Sequence, residues 1–207
     1  MKVVIVTVPM RQPDKIKPVQ YAVDGNMTIE YEKPVRCPVN GVLAKTMKKG
    51  EEIKLIFIMT TGKNSQCEQN KKAFMEELEE INSEIGALLS CETTEIDFDA
   101  TKQTYNKLIT DLAGKIPDNA EIFTDITFGF KPEILSLFCA LRFVEEFRDA
   151  IVQYIVYGKA EFNQAEQIES PVLFDITSLY YLFKLMGSIG NTDAETALKM
   201  LNDFFAL

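Results

Sequence analysis

The chain has 207 residues, enough for one domain of ordinary size with a substantial hydrophobic core. Hydrophobic residues at 46% and charged residues at 26% are typical of a globular protein and exclude a disordered chain, a fibrous chain and a membrane bundle. The formal charge of -9 has the wrong sign for a broad basic surface that binds long DNA or RNA. A nucleic-acid ligand must therefore be small and bound locally.

The histidine and cysteine content narrows the possible chemistry. No histidine is present, which excludes Ser-His-Asp and Cys-His catalysis and His-ligated metal sites. The cysteines are far apart, without a C-x-x-C pair, and are interpreted as reduced thiols of a cytoplasmic protein: Cys37, Cys67, Cys91 and Cys139. The apolar N-terminal run is too short for a signal peptide or a membrane span. We expect no metal, no cofactor and no membrane association.

The first half of the chain alternates predicted strands and helices. A continuous β-branched run from Val3 to Val8 predicts a strand buried on both faces. Two short alternating segments around Asp24 and Gly25 predict a small β-hairpin. A helix candidate from Asn40 to Lys48 and a second buried strand from Ile53 to Gly62 follow. Apolar residues spaced as one helical face then predict an amphipathic helix from Gln66 to Leu89.

The second half continues this alternation. Its predicted elements are a strand at 95–98, a helix at 105–116, strands at 120–126 and 151–158, helices at 132–148 and 177–189, and a last helix that starts with a Thr192–Glu195 capping box. The helix from Pro132 to Arg148 is apolar nearly all round and is expected to pack on two partners. The pattern predicts a Rossmann-like, doubly wound, mainly parallel α/β sheet over residues 1–190, with the small hairpin as an insertion and a C-terminal helix at 191–207.

Three loops at the carboxyl ends of predicted strands are candidates for a binding site, because ligands of parallel sheets bind at that edge. The first loop contains Thr7, Pro9 and Arg11, with Lys15 and Lys17 nearby; the second contains Thr60, Thr61, Gly62 and Lys63; the third contains Thr127, Phe128, Gly129, Phe130 and Lys131. Hydroxyls, glycines and cations suit a phosphate, and an aromatic ring can stack on a base. Together the loops favour an anionic ligand.

Other nucleotide sites are not supported by the sequence. Neither G-x-G-x-x-G after the first strand nor G-x-x-x-x-G-K-[ST] is present, so the dinucleotide fingerprint and the P-loop are both excluded. The acidic residues Asp97 and Asp99 could be magnesium ligands, but no other candidate ligand clusters with them in the sequence, and they are interpreted as solvated strand-end residues.

The segment from Phe123 to Lys131, followed by a proline-started apolar helix, resembles the D-[IV]-T-H-G-[FW]-[RK] segment of CARF proteins, the CRISPR-associated Rossmann-fold sensors of type III systems. The order of the remaining segments agrees over nearly the whole chain. The third loop carries the specific motif. Phe128 stands where many relatives have histidine, which puts any role of that histidine in doubt here.

The resemblance implies an antiviral sensor that binds a cyclic oligoadenylate, usually the ring of four adenosines, across the two-fold axis of a homodimer. The implied ligand shell is Thr7, Pro9, Arg11, Thr127, Gly129 and Lys131. Such a site can cleave its ligand without metal by holding a ribose 2′-hydroxyl in line with the neighbouring phosphate. Lys131 and Thr7 would then be the catalytic residues, and the last helix a junction to an effector domain.

Three functions remain open at this point. The leading hypothesis is a cyclic-oligoadenylate receptor. The second is a stand-alone, metal-independent ring nuclease that destroys the same signal. The third is a nucleotide-independent interaction module, in which the apolar helices are binding faces and the polar loops are plain turns.

Overall fold

The computed structural model describes residues 1–62, 64–98, 100–162, 168–188, 190 and 192–205. The strands are β1 (Lys2–Thr7), β2 (Ala22–Asp24), β3 (Glu52–Thr61), β4 (Leu88–Asp97), β5 (Glu121–Asp125), β6 (Ile151–Phe162) and β7 (Ile168–Asp175). The α-helices are α1 (Pro38–Thr46), α2 (Cys67–Ser83), α3 (Lys102–Lys115), α4 (Lys131–Phe147), α5 (Thr177–Ser188) and α6 (Ala194–Phe205). Short 3-10 helices lie at Pro13–Lys15 and Met27–Ile29. None of the helices described is long and apolar enough to cross a membrane.

The strands form a seven-stranded sheet in the order β2-β7-β6-β5-β1-β3-β4. Neighbouring strands are parallel throughout, except that β7 runs antiparallel to β6. The predicted Rossmann-like, mainly parallel α/β fold is confirmed. The chain proceeds from β1 to β3 and β4 on one side, and returns to β5 and β6 on the other. The loops after β1 and β5 therefore lie where the strand order reverses, the usual place for a ligand in such a sheet.

A hydrophobic core lies on each face of the sheet. Along β1, Val4 and Val6 join the core under α1 and α2, whereas Val3 and Ile5 join the core under α3, α4 and α5. Successive side chains of a strand point to opposite faces, so a strand covered on both sides needs a continuous apolar run. Burial on both faces of the sheet therefore explains the continuous apolar run from which the first strand was predicted.

Helix α4 presents two apolar faces, of which the sheet covers one. Leu137, Leu141 and Val144 are fully buried against the sheet. The opposite face carries a line of exposed apolar residues at every fourth position, here called the α4 stripe: Leu135, Cys139, Phe143 and Phe147. Residues four apart lie on one side of a helix, so this line is continuous. The expectation that α4 packs on two partners is confirmed, because α3 packs beside it as well as the sheet, and the α4 stripe is left exposed.

The hairpin predicted around Asp24 and Gly25 is wrong. Its first half is β2, which pairs in parallel with β7, and its second half forms the 3-10 helix Met27–Ile29. Asn26 caps that helix, because its side-chain oxygen accepts a hydrogen bond from the Thr28 N–H at 3.2 Å. A distant strand thus replaces the local pairing that the turn suggested.

Two predicted boundaries also need correction. The helix expected from Gln66 to Leu89 ends at Ser83, and β4 begins at Leu88, well before the predicted strand at 95–98.

The expected Thr192–Glu195 capping box is replaced by Asp193, which accepts hydrogen bonds from the backbone and hydroxyl of Thr196. The predicted helix end at Ile189 lies outside the described residues. The boundary between residues 190 and 191 stays a prediction.

Candidate functional site

The first and third loops meet at the carboxyl ends of β1 and β5. The Thr7 hydroxyl donates to the backbone oxygen of Asp125 at 3.1 Å, which ties the two strand ends together. The Thr127 N–H donates to Asp125 Oδ1 at 2.9 Å, and the Thr127 Oγ1 accepts from the Gly158 N–H at 2.9 Å. The third loop is therefore joined to β6 as well as to β1.

The start of α1 reaches the same point from the other side. The Val39 N–H, in the first turn of α1, donates to Asp125 Oδ2 at 3.1 Å. Burial raises the pKa of the Asp125 carboxyl, and its hydrogen bonds from Thr127 and Val39 offset this only in part. One buried carboxyl group thus contacts both the third loop and the helix that faces it.

The second loop connects to the far end of the third loop. Glu133, in the first turn of α4, accepts from the Thr60 hydroxyl at 2.9 Å and from the Phe130 N–H at 3.1 Å. Burial raises the pKa of Glu133, and these two hydrogen bonds lower it in part. All three predicted loops are therefore linked by hydrogen bonds at one edge of the sheet.

A pocket of about 300 Å³ opens at this edge, and we call it the basic pocket. The charged residues among the described residues that line it are all cationic: Arg11, Lys15, Lys17, Arg36 and Lys159. Thr127, Phe128, Tyr21 and Tyr157 add hydroxyls and aromatic rings. The Tyr157 ring stacks on Phe174, with centroids 6.3 Å apart and planes 19° from parallel. In a chain of charge -9, such a pocket is a local concentration of positive charge suited to an anion with planar groups.

The predicted site residues divide into those that line the basic pocket and those that shape it. Arg11, Thr127 and Phe128 line it. Pro9 and Thr7 are buried next to it, and the Pro9 carbonyl accepts from the Asn70 side chain at 2.7 Å. Because the Thr7 hydroxyl already donates a hydrogen bond to the Asp125 backbone, Thr7 is better suited to positioning the loops than to direct contact with a ligand.

Gly129 allows the third loop to pack closely on β1. A Cβ atom at this position would lie 2.5 Å from Ile134 Cδ1 and 2.9 Å from Thr7 Cγ2. Lys131 is the exposed first residue of α4, four positions before Leu135 and in line with the α4 stripe. Phe130 makes an edge-to-face contact with Phe98 at 5.9 Å.

The second loop stands apart from the basic pocket. The Thr60 hydroxyl is buried against Glu133, and the Thr61 hydroxyl donates to the Ile96 carbonyl at 3.2 Å. Gly62 has a φ of +136°, which favours glycine. Lys63 and Asp99 lie outside the described residues. Contact between this loop and a ligand stays a prediction.

Sequence reasoning did not select four polar or charged residues of the basic pocket as candidates: Tyr21, Arg36, Tyr157 and Lys159. A signal for Arg36 was present, because it stands shortly before the proline in the first turn of α1, as Lys131 stands before Pro132 in α4. Tyr157 and Lys159 belong to the middle of β6, which continues to Phe162. The predicted strand end at Gly158 placed Tyr157 at a carboxyl end, which was a signal for Tyr157, whereas Lys159 had none.

Comparison with known proteins gives likenesses to solved structures and no family match. No protein-family model matches the chain, and no curated protein matches it. Among solved structures the chain is similar to Csm6 of Enterococcus italicus, solved bound to cyclic hexa-2′-fluoro-hexa-dAMP, with 19% sequence identity and a TM-score of 0.39. The match covers 99% of this chain and 49% of that one, so the chain spans about half the length of that protein. The fold described above rests on this chain's own strand order.

The raised pKa of Asp125 predicts a pH dependence of stability. The folded protein holds this proton more tightly than the unfolded chain does, so the free energy of unfolding should fall as the pH rises from about 4 through the folded pKa. Urea unfolding of the wild type and Asp125→Asn over a pH series measures this contribution. The stability of the wild type relative to the variant should decrease with rising pH; a constant or increasing difference would contradict the prediction.

Proposed function

We propose that this chain binds a cyclic oligoadenylate, with the ring of four adenosines as the first candidate, in the basic pocket of a homodimer. The observation that carries the proposal is the basic pocket itself, located where the strand order reverses in an otherwise acidic chain. The resemblance of the third loop to the CARF motif supports the same ligand class.

The lining of the pocket fits the parts of such a ligand. Phosphates suit the guanidinium groups of Arg11 and Arg36, which can form paired hydrogen bonds to phosphate oxygens. Exposed aromatic rings such as Tyr157 provide a stacking surface for a base. A larger groove of about 630 Å³ lies along α2, but among the described residues four glutamates line it against two cations, Lys33 and Arg36, so its net charge is unfavourable for phosphates. The basic pocket is therefore the better nucleotide site.

The size of the pocket favours a shared site. A volume of about 300 Å³ lies at the lower end of the range for small-ligand pockets, so one copy holds only part of a four-nucleotide ring. The α4 stripe offers an apolar surface for a second copy, and Lys131 lies at its N-terminal end. A two-fold interface on the stripe would bring both Lys131 side chains and both third loops toward the axis.

The dimer gives a direct prediction. The protein should sediment as a dimer at micromolar concentration, and Phe147→Asp should shift it toward monomer because a carboxylate would be buried in an apolar interface. Met27→Asp is the matched control, since Met27 is 68% exposed and Phe147 is 70% exposed, but Met27 lies outside the stripe. A monomeric wild type, with or without ligand, would contradict the dimer.

Thermal unfolding with a panel of cyclic and linear oligoadenylates tests the ligand. A ligand that binds the folded state raises the melting temperature by mass action, and we expect the largest increase from cyclic tetraadenylate. If no member of the panel raises the melting temperature, the nucleotide proposal fails and the interaction module gains support.

Any cleavage of the bound ring should proceed in excess chelator. The described residues contain no group of three His, Cys, Asp or Glu side chains that could hold a metal. The nucleophile would be the ring's own ribose 2′-oxygen, which attacks the adjacent phosphorus and displaces the 5′-oxygen. The product then ends in a 2′,3′-cyclic phosphate and a 5′-hydroxyl, because the 2′-hydroxyl proton passes to solvent and the departing 5′-oxygen takes up a proton from solvent. Because no histidine is available as a general base, the cleavage rate should be lower by a factor of about 10² to 10⁴ than with such a base.

Lys131→Ala should slow that cleavage even at saturating ligand, because the lost charge stabilises the transition state. Mass spectrometry after hours of incubation measures the product. An intact ring would leave the receptor without nuclease activity, whereas cleavage that requires a metal would show that the active site lies elsewhere.

A further inference from the structure

Two carboxyl groups lie behind the third loop, outside the lining of the basic pocket. Asp125 is 1% exposed and Glu133 is 3% exposed, so neither can contact a ligand in the pocket. Burying a carboxyl group is unfavourable unless hydrogen bonds compensate for the lost water, and an apolar side chain would avoid this cost. Their presence together at one loop indicates a role beyond packing.

Asp125 links two segments that contribute to the lining of the basic pocket. Its two carboxylate oxygens accept from the Thr127 N–H and from the Val39 N–H at the start of α1. Arg36, three residues before Val39, also lines the pocket. Asp125 is therefore a direct link between Thr127 and the helix start that follows Arg36.

Glu133 fixes the opposite end of the third loop. One of its oxygens accepts from the Phe130 N–H, directly before Lys131, and the other accepts from the Thr60 hydroxyl at the end of β3. The loop from Thr127 to Phe130 is thus held at its start by the residue that ends β5 and at its end by a residue of α4.

We propose that Asp125 and Glu133 are the positioning residues of the ligand site, which hold the third loop at both ends in the geometry that binds the ligand. This inference rests on the function proposed above. It assigns the two residues no contact with the ligand and no part in its chemistry. They act through Thr127, through the start of α1 and through Phe130.

The hydrogen-bond partners of Asp125 and Glu133 allow this positioning role to be distinguished from the simple burial of two carboxyl groups. Asp125→Asn and Glu133→Gln make the same change from carboxylate to amide. The side-chain partners of Asp125 include two backbone N–H groups that can only donate, so one of them must face the new amide NH₂. At Glu133 one partner is the Thr60 hydroxyl, which can turn and accept from the new amide. Asparagine therefore breaks its connection, whereas glutamine keeps it.

Binding of cyclic tetraadenylate by calorimetry tests the difference. We expect Asp125→Asn to weaken binding by about tenfold or more, Glu133→Gln to stay within about threefold of the wild type, and Glu133→Ala to weaken binding as Asp125→Asn does. Equal effects of the two amide variants, or no effect of Asp125→Asn and Glu133→Ala, would overturn the proposal. If Asp125→Asn does not fold, the pair Glu133→Gln and Glu133→Ala gives the same decision.

Amide hydrogen exchange without ligand separates this proposal from the proposed function. Exchange should accelerate at Thr127 or at Val39, whichever N–H faces the new amide, in Asp125→Asn and at Phe130 in Glu133→Ala, while the core strand β3 stays protected in both. If the wild type binds no oligoadenylate but the two variants show this exchange pattern, the proposed ligand is wrong and the role of the two residues in holding the loop still stands. Uniformly faster exchange over the whole chain would show that the two residues stabilise only the fold.

Discussion

Replacing Arg11 and Arg36 together by alanine is expected to lower the affinity for cyclic tetraadenylate by at least about a hundredfold, because each removes a charge-assisted contact to phosphate. Both residues line the basic pocket. The backbone N–H of Arg36 donates to Glu77 at 2.7 Å, and this bond does not depend on the arginine side chain. The start of α1 should therefore keep its place in the variant, so that the loss reports on the ligand. Isothermal titration calorimetry at fixed ionic strength measures it.

The salt dependence of binding provides a second readout. Added salt screens charges in the solvent-exposed pocket, so the affinity of the wild type should fall with ionic strength more steeply than that of the double variant. Lys102→Ala and Lys199→Ala, on the exposed surfaces of α3 and α6, remove the same two charges elsewhere and should leave the affinity nearly unchanged. If this control pair weakens binding as strongly as the arginine pair, the ligand responds to the overall charge and the basic pocket is not its site.

The elements that the sequence predicts well are those buried on both sides of the sheet. The apolar runs of β1 and β3 can be identified without knowing their neighbours, because burial on both faces leaves no polar face. The boundary between α2 and β4 was missed because Leu88 and Leu89 continue the helical spacing. A local signal was available: Gly86 has a φ of +84°, and Asn82 exchanges two hydrogen bonds with the backbone of Ala87, which ends the helix.

The pairing of β2 lies beyond local sequence reasoning. Ala22, Val23 and Asp24 pair with Val172, Leu173 and Phe174, near the other end of the chain. An Asp-Gly turn suggested a neighbour close in sequence, but the open edge of β7 provides the pairing instead. Long-range contacts of this kind leave no periodicity in the short strand that makes them.

The candidate site could be predicted in position but not in composition. The rule that ligands bind at the carboxyl ends of parallel strands selected the first and third loops correctly as one edge of the sheet. It could not show that Thr60 would hold Glu133, or that Arg36 would come from a segment that follows the predicted hairpin and no strand of the main sheet. Side-chain hydrogen bonds between distant elements decide which polar residues of a loop remain available to a ligand.

Gly158 gives the largest expected effect on stability. It is buried where β6 passes the start of α1, and a Cβ atom there would lie 2.5 Å from Pro38 Cγ and 3.2 Å from the Tyr21 ring. The rigid proline ring cannot turn away, so either β6 or the first turn of α1 must move. We expect Gly158→Ala to lower the free energy of unfolding by about 1–3 kcal/mol, the usual effect of overpacking a core.

The same substitution at Gly114 should have the opposite sign. Gly114 lies in α3, and a Cβ atom added there would have no neighbour within 4 Å. Alanine favours the helix over glycine by about 0.5–1 kcal/mol, so Gly114→Ala should be neutral or stabilising. Urea unfolding of both variants measures the difference. Because Gly158 also lines the basic pocket and its N–H donates to Thr127, Gly158→Ala should weaken ligand binding as well, whereas Gly114→Ala should not. Two variants of equal stability would mean that β6 and α1 pack less closely than these distances require.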